Sequence, residues 1–134
     1  MEGETQLHYI SIDESIQINR WAIENYSHEF GVIDKEKLVQ CLEIPKQVFF
    51  GSEIHPSVKK KAAAYLYYLT VFHPFVDGNK RTAFLSMCVF LIKNGYSFKS
   101  EQEDIVNLVL SIASGNESLD TVSEWLTSRI FQIK

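Results

Sequence analysis

The sequence predicts an all-α protein, a helical bundle packed around one central apolar helix. Three observations point there. Apolar residues recur at spacings of three and four through most of the chain. Residues 82–92, Thr-Ala-Phe-Leu-Ser-Met-Cys-Val-Phe-Leu-Ile, are apolar all round apart from two hydroxyls, as expected of a helix at the centre of a bundle. One short run, Gln47-Val48-Phe49-Phe50-Gly51-Ser52, reads instead as a strand or one arm of a small hairpin. The 134 residues, 1–134, fit a single domain with a sizeable core.

Taken in order, residues 7–12 alternate loosely and suggest a short extended entry. Asp13 is placed to cap a helix carrying Ile16, Ile18, Trp21, Ala22, Ile23 and Tyr26, with Trp21 read as core and Gly31 as the break. Asp34 caps a shorter helix with Leu38, Val39 and Leu42 on one face and Pro45 at its end, and Cys41 on it reads as an inert core or boundary thiol. Locally, Phe49 and Phe50 read as core contacts at a bend, the alternative being an exposed edge strand that pairs with a partner segment.

Pro56 is expected in the first turn of the next helix, residues 56–72, where Val58, Ala62, Tyr65, Leu66 and Leu69 make one buried stripe. His73, four residues on, continues that stripe and is expected to point inward, while Lys59, Lys60 and Lys61 read as a solvated face. After the central helix, Asn94-Gly95 is a stop signal with Gly95 as a left-handed cap. Ser100-Glu101-Gln102-Glu103 matches a capping box, opening a helix that buries Ile105, Leu108, Val109 and Ile112 and ends at Gly115. A last helix from about Ser118 aligns Leu119, Val122, Leu126, Ile130 and Ile133, with Trp125 beside them.

Composition excludes several classes. A net charge of -4 argues against a broad nucleic-acid-binding face, though local cationic clusters stay possible. Cys41 and Cys88 lie far apart and suggest neither a zinc knuckle nor a disulfide framework. The 82–92 segment is shorter than the roughly 20 residues a membrane span needs. The acidic start, Met1-Glu2-Gly3-Glu4-Thr5, lacks the basic and apolar parts of a secretory signal, so a cytoplasmic protein is expected.

The densest chemistry is His73-Pro74-Phe75-Val76-Asp77-Gly78-Asn79-Lys80-Arg81-Thr82, a loop that runs into the N-terminus of the apolar helix. Unpaired N–H groups and the helix dipole favour an anion there, and glycine lets backbone approach it closely, so phosphate is the natural ligand. His73 is suited to accept a hydroxyl proton near neutral pH. Asp77 can ligate magnesium together with substrate phosphates. Gly78, Asn79, Lys80 and Arg81 can donate to phosphate oxygens, and Phe75 can anchor the loop to the core. Magnesium–nucleotide chemistry follows as the expectation.

This loop resembles the signature of the Fic/Doc superfamily, and its Asn-Lys-Arg-Thr ending is similar to the death-on-curing (Doc) branch. The stretch Val48-Phe49-Phe50-Gly51-Ser52-Glu53, the helix after it and Asn94-Gly95-Tyr96 are similar too. The resemblance implies an all-α bundle with a small β-hairpin flap, transferring part of a nucleotide to a hydroxyl of a target protein. His73 would be the base, Asp77 the Mg2+ ligand, Gly78, Asn79, Lys80 and Arg81 the phosphate cradle, and Phe75 the loop anchor. Val48, Phe49, Phe50 and Gly51 would form the flap that aligns the target as an added strand, which raises the edge-strand alternative above the core reading.

Adenylyltransferase members typically carry a second glycine where this chain has Lys80 and an arginine where it has Phe84. Both differences resemble the Doc branch, in which ATP presents its γ-phosphate, the target is an elongation factor of translation, and an antitoxin encoded nearby restrains the toxin. Gly78 departs from that branch, whose founding loop has alanine there. An inhibitory Ser/Thr-x-x-x-Glu-Gly/Asn motif has only a poor match at Arg20-Trp21-Ala22-Ile23-Glu24-Asn25, so restraint by a separate antitoxin is expected. Three alternatives remain: adenylyl transfer, a non-catalytic module binding nucleotide or antitoxin, and a metal-dependent hydrolase using His73 and Asp77, with His55 as an optional third residue. His8 and His28 read as surface residues.

Overall fold

A computed structural model describes residues 6–24 and 30–133. The elements run α1 (Ile12–Glu24), α2 (Lys35–Glu43), a 3-10 turn (Ile44–Lys46), β1 (Val48–Phe49), β2 (Ser52–Glu53), α3 (Val58–Phe72), α4 (Asn79–Lys93), β3 (Tyr96–Phe98), α5 (Gln102–Ala113), α6 (Leu119–Leu126) and β4 (Ile130–Gln132). Helices dominate, as the 3.6-residue periodicity requires. None of them, among the described residues, is long and apolar enough to cross a membrane.

The centre is the antiparallel pair α3 and α4, joined by the 73–78 loop. Of the two, α3 is the more enclosed: residues 61–66 are fully buried, and α2, α4, α5 and α6 all pack on it. Consecutive alanines, Ala62 to Ala64, let those neighbours approach from several sides. Tyr65 adds a ring against Phe90 of α4 and a hydroxyl that accepts the Ile10 N–H at 3.0 Å, tying down the entry segment. On α4, Ala83, Met87, Phe90 and Leu91 face the core while Ile92 stays exposed. Each fully buried Leu, Met or Phe contributes about 1.5–3 kcal/mol of transfer free energy.

Several local expectations hold. Asp34 caps α2, its carboxylate accepting the Lys37 N–H, and Gly95 and Gly115 take left-handed backbone where their helices stop. Cys41 is buried, and burial pushes its thiol up to about 12, which suits an inert core group. The predicted hairpin exists: β1 pairs antiparallel with β2, with Phe50 and Gly51 at positive φ in the turn. That combination matches the twist of a two-residue hairpin.

Other expectations are corrected. Ser11, not Asp13, caps α1: its hydroxyl accepts the Glu14 N–H while the Glu14 carboxylate accepts the Ser11 N–H. Residues 6–11 belong to no helix or paired strand, and Ile12, placed in the entry segment, already opens α1. Trp21 is 59% exposed, because the face of α1 that packs inward carries Ser15, Asn19, Ala22 and Ile23. Tyr26 and His28 lie outside the described residues. Pro56 precedes α3, whose cap is the Ser57 side chain accepting the Lys60 N–H. Phe49 and Phe50 are exposed and stack edge to face on each other, not on the core.

The Ser100 capping box does not form, since its hydroxyl donates to the Glu101 carbonyl; a box forms instead at Ser118 and Thr121, opening α6. That last helix stops at Leu126. Ile130 belongs to β4, which pairs antiparallel with β3 in the register Tyr96↔Gln132, Ser97↔Phe131 and Phe98↔Ile130, and Ile133 is exposed.

Lys61 is the largest departure. It was expected in solvent with Lys59 and Lys60, yet it is wholly buried, donating to the Pro45 carbonyl at 3.0 Å and to Glu53 Oε1 at 2.6 Å. His55 is buried beside it. Burial first, then the charges of Lys61 and Lys60, hold the His55 imidazole below its ordinary 6.5. Above that pH the ring is neutral in both folded and unfolded chains and adds no pH dependence. Below it the unfolded chain takes up a proton that the folded chain resists, so stability falls until the folded ring is protonated as well. Thermal melts should therefore lose stability as pH drops from 6.5 toward the depressed value, and lose less in His55→Gln. Equal slopes in the two proteins would discard this assignment.

Candidate active site

The loop is built from the ends of two rigid helices. α3 ends at Phe72, and His73 adopts left-handed backbone with φ 53°. That turn takes the imidazole off the buried stripe it was expected to continue, and His73 is exposed at a cavity wall. Non-glycine residues rarely occupy this region, and such strain concentrates at functional positions. His73 Nδ1 lies 3.1 Å from the Thr70 carbonyl oxygen. A carbonyl only accepts, so Nδ1 carries the proton in this contact. In the neutral ring, Nε2 is therefore left with its lone pair.

Pro74 and Phe75 bind the loop to the rest of the protein. The Pro74 carbonyl accepts from the Ile33 and Asp34 N–H groups at 2.8 and 3.2 Å, and the Val76 N–H donates to the Gly31 carbonyl at 2.9 Å. Phe75 is 1% exposed, as an anchor should be. Asn79 staples it from the helix side: its Oδ1 accepts the Phe75 N–H and its Nδ2 donates to the Phe75 carbonyl, both at 2.9 Å. The Asn79 carboxamide is committed to that staple, which leaves its backbone N–H for an anion.

α1 supplies a second set of ties that the sequence did not advertise. Asn19, fully buried, donates from Nδ2 to the Asp77 carbonyl at 2.9 Å and to Thr82 Oγ1 at 3.0 Å. Arg81 Nη1 donates to the Ala22 carbonyl at 3.1 Å. A lone asparagine at helical spacing among Ser15, Ala22 and Ile23 was the available signal for Asn19; nothing local distinguished Ala22.

These contacts surround a cavity of about 270 Å³ lined by His73, Val76, Asp77, Gly78, Asn79, Lys80, Arg81 and Ile23. Every loop residue named from the sequence as base, ligand or cradle borders it; Phe75 lies beneath. The α4 N-terminus has no side-chain cap, because Gly78 occupies the cap position. The Gly78 N–H donates to Asp77 Oδ1 at 2.8 Å, orienting that carboxylate. A second cleft of about 300 Å³ shares Lys80 and Arg81 and continues between α4 and α5 along Phe84, Ile105, Val106, Val109 and Leu110. The periodicity had assigned Ile105 and Val109 to the core, and a stripe alone could not show that their outer edges line a cleft.

The hairpin residues Val48, Phe49, Phe50 and Gly51 do not line the cavity. Neither does His55, which borders a separate 250 Å³ cavity with Lys60, Asp120 and Ser123. It therefore does not join His73 and Asp77 as the optional third residue of the hydrolase alternative. No group of three or more His, Cys, Asp and Glu side chains able to hold a metal occurs among the described residues. The donor set instead fits magnesium's habit of binding through one or two carboxylates and substrate phosphates: among the described residues, Asp77 is the one carboxylate lining the cavity.

A helical protein that gathers a histidine, a carboxylate and two cations around one uncapped helix N-terminus has the build of an anion-handling site. The sequence model of the Fic/DOC family matches residues 9–91, which include the whole loop. The chain belongs to the Fic/DOC family. It is 31% identical over 103 residues to a protein named Toxin Doc from Mycolicibacterium smegmatis (strain ATCC 700084 / mc(2)155), a match covering 73% of this chain and 77% of that one.

Proposed function

We propose that this protein is the toxin of a toxin–antitoxin pair, a protein kinase that transfers the γ-phosphate of ATP to a Ser or Thr hydroxyl of a target protein, an elongation factor of translation being the candidate. The observation that carries this reading is the cavity itself. It brings His73, with a carbonyl holding its proton on Nδ1, together with Asp77, Lys80 and Arg81 at the start of α4. Likeness to a protein named Toxin Doc supports the biological role and an antitoxin as partner. The site of action would be the cytoplasm, where ATP and the target are found.

In the proposed step, the target hydroxyl gives its proton to His73 Nε2 as its oxygen bonds to the γ-phosphorus. The bond from that phosphorus to the bridging oxygen breaks, ADP leaves, and a phosphoester remains on the target. Lys80, Arg81 and the uncapped first turn of α4 stabilise the charge on the phosphate oxygens. Asp77 would hold Mg2+, which supplies further neutralisation when bound with the nucleotide. The apolar cleft along Phe84 and α5, reached past the same two cations, would accept the base or sugar of the nucleotide.

Lys80 and Phe84 favour the kinase over adenylyl transfer, as the family resemblance implies. Gly78 does not weigh against it, because an added Cβ would meet Ile23 Cγ2 at 2.6 Å. The glycine is thus explained by packing within this chain, whatever the orientation of the nucleotide. The hairpin would receive the target: Phe50, 93% exposed and at positive φ, offers a bulky apolar side chain at the hairpin turn for an external contact.

ATP labelled on the α or the γ phosphate, incubated with the protein, magnesium and a cell extract, tests the reading. A protein band taking up γ label alone is expected. Uptake of α label would replace it by adenylyl transfer, and no label in any extract would leave a binding module.

A further inference from the structure

The hairpin is short, exposed and made of two pairs of residues, so its own hydrogen bonds hold it weakly. Its base is nonetheless fixed from inside. Lys61, in the first turns of α3, is 0% exposed, and its Nζ donates to the carbonyl of Pro45, before β1, and to the carboxylate of Glu53, in β2. The Tyr9 ring centroid lies 5.7 Å from the same nitrogen. The Ile54 N–H closes the hairpin's neck by donating to the Gln47 carbonyl at 3.0 Å. One buried ammonium therefore grips the strand entry and the strand exit together.

We propose that Lys61 is a positioning residue: it clamps both feet of the 48–53 hairpin to α3, the helix that also delivers His73, and so fixes the edge on which a target segment docks relative to the base. The second half of this statement rests on the kinase reading above. Stability alone does not account for the lysine. An ammonium inside a protein costs desolvation that a well-packed apolar side chain would avoid, and such pairs stabilise little against apolar replacements. What the ammonium supplies and a methionine could not is directional bonding to two separate stretches of backbone and side chain. The half-exposed Glu53 can be solvated when released, so losing Lys61 frees the hairpin without stranding a charge.

Lys61→Met, of similar volume, tests this by nuclear magnetic resonance and by labelling. Exchange of the Ile54 amide should accelerate about tenfold or more, the expected consequence of losing charge-assisted hydrogen bonds. Glu53→Gln, which keeps an acceptor oxygen, should retain most of the protection, and Glu53→Ala should lose it; that pair decides the matter if Lys61→Met folds poorly. With γ-labelled ATP, the extract concentration giving half-maximal label should rise several-fold in Lys61→Met while the plateau and the KM for ATP stay near wild type. Unchanged Ile54 exchange overturns the clamp. Faster exchange with unchanged half-saturation overturns the positioning role. If wild type itself gives no label, the kinase reading fails, and with it the positioning role, while the exchange data still decide the clamp.

Discussion

His73→Ala should lower the proposed γ-phosphate transfer by about two to four orders of magnitude, the range expected when a positioned general base is removed, and leave the proposed ATP affinity nearly unchanged. The separation follows from geometry. The groups proposed to hold phosphate, Lys80, Arg81 and the first turn of α4, belong to a helix whose start is fixed by Asn19, Asn79 and Phe75, none of which depends on the imidazole. His73 is exposed, so the substitution should change stability by no more than about 0.5 kcal/mol. Its left-handed backbone is a possible confounder, since alanine is also strained at φ 53°. His73→Asn controls for this: asparagine tolerates that conformation and can still donate to the Thr70 carbonyl, but it cannot accept a proton. Both variants should be equally inactive in the γ-label assay, with wild-type melting curves and calorimetric ATP binding. An asparagine variant retaining more than about a tenth of the wild-type rate would remove His73 from the role of base, since a tenfold effect is below what such a group contributes.

How much of this was legible in the sequence depends on how local each cause was. The 73–82 loop was readable because its turn glycine, cations, histidine and carboxylate are contiguous, and folding had only to curl them around one cavity. Helix positions were readable from spacing. Which face turns inward was less so: α1 buries Ser15 and Asn19 while Trp21 is exposed, because α1 packs on the polar start of α4. Lys61 could not be told from Lys59 and Lys60, since only the Pro45 carbonyl and Glu53, brought near by tertiary packing, distinguish it. β4 was missed for a related reason. Ile130 and Ile133 continue the helical spacing of α6, and pairing with residues 96–98 overrides that pattern. His73 itself was misdirected inward by periodicity, and only the left-handed turn at the end of α3 explains its exposure.

Gly78→Ala should disable the protein nearly as thoroughly as loss of the proposed base, by moving the loop. Gly78 has φ 73°, and a Cβ built there stands 2.6 Å from Ile23 Cγ2 and 3.5 Å from Asn19 Nδ2. Ile23 is buried, and its branched side chain has little freedom to retreat. The left-handed backbone costs alanine on the order of 1 kcal/mol, and overpacking adds about 1–3 kcal/mol. The chain can relieve this only by shifting α1 or the loop, and a displacement near 1 Å at a reacting centre can cost about 100-fold in rate. The expected result is a lowered denaturation midpoint and label transfer reduced by about that factor.

A double-mutant cycle identifies the cause. Ile23→Ala alone costs about 2–5 kcal/mol by leaving a cavity, but it also makes room for the alanine at 78, so the double variant should be less destabilised than the sum of the singles. Strict additivity would assign the whole effect to backbone strain. Gly78→Asn separates the two causes from the other direction: asparagine tolerates left-handed backbone but still carries a Cβ, so it should fail as alanine does if contact with Ile23 dominates, and recover much of the loss if strain does.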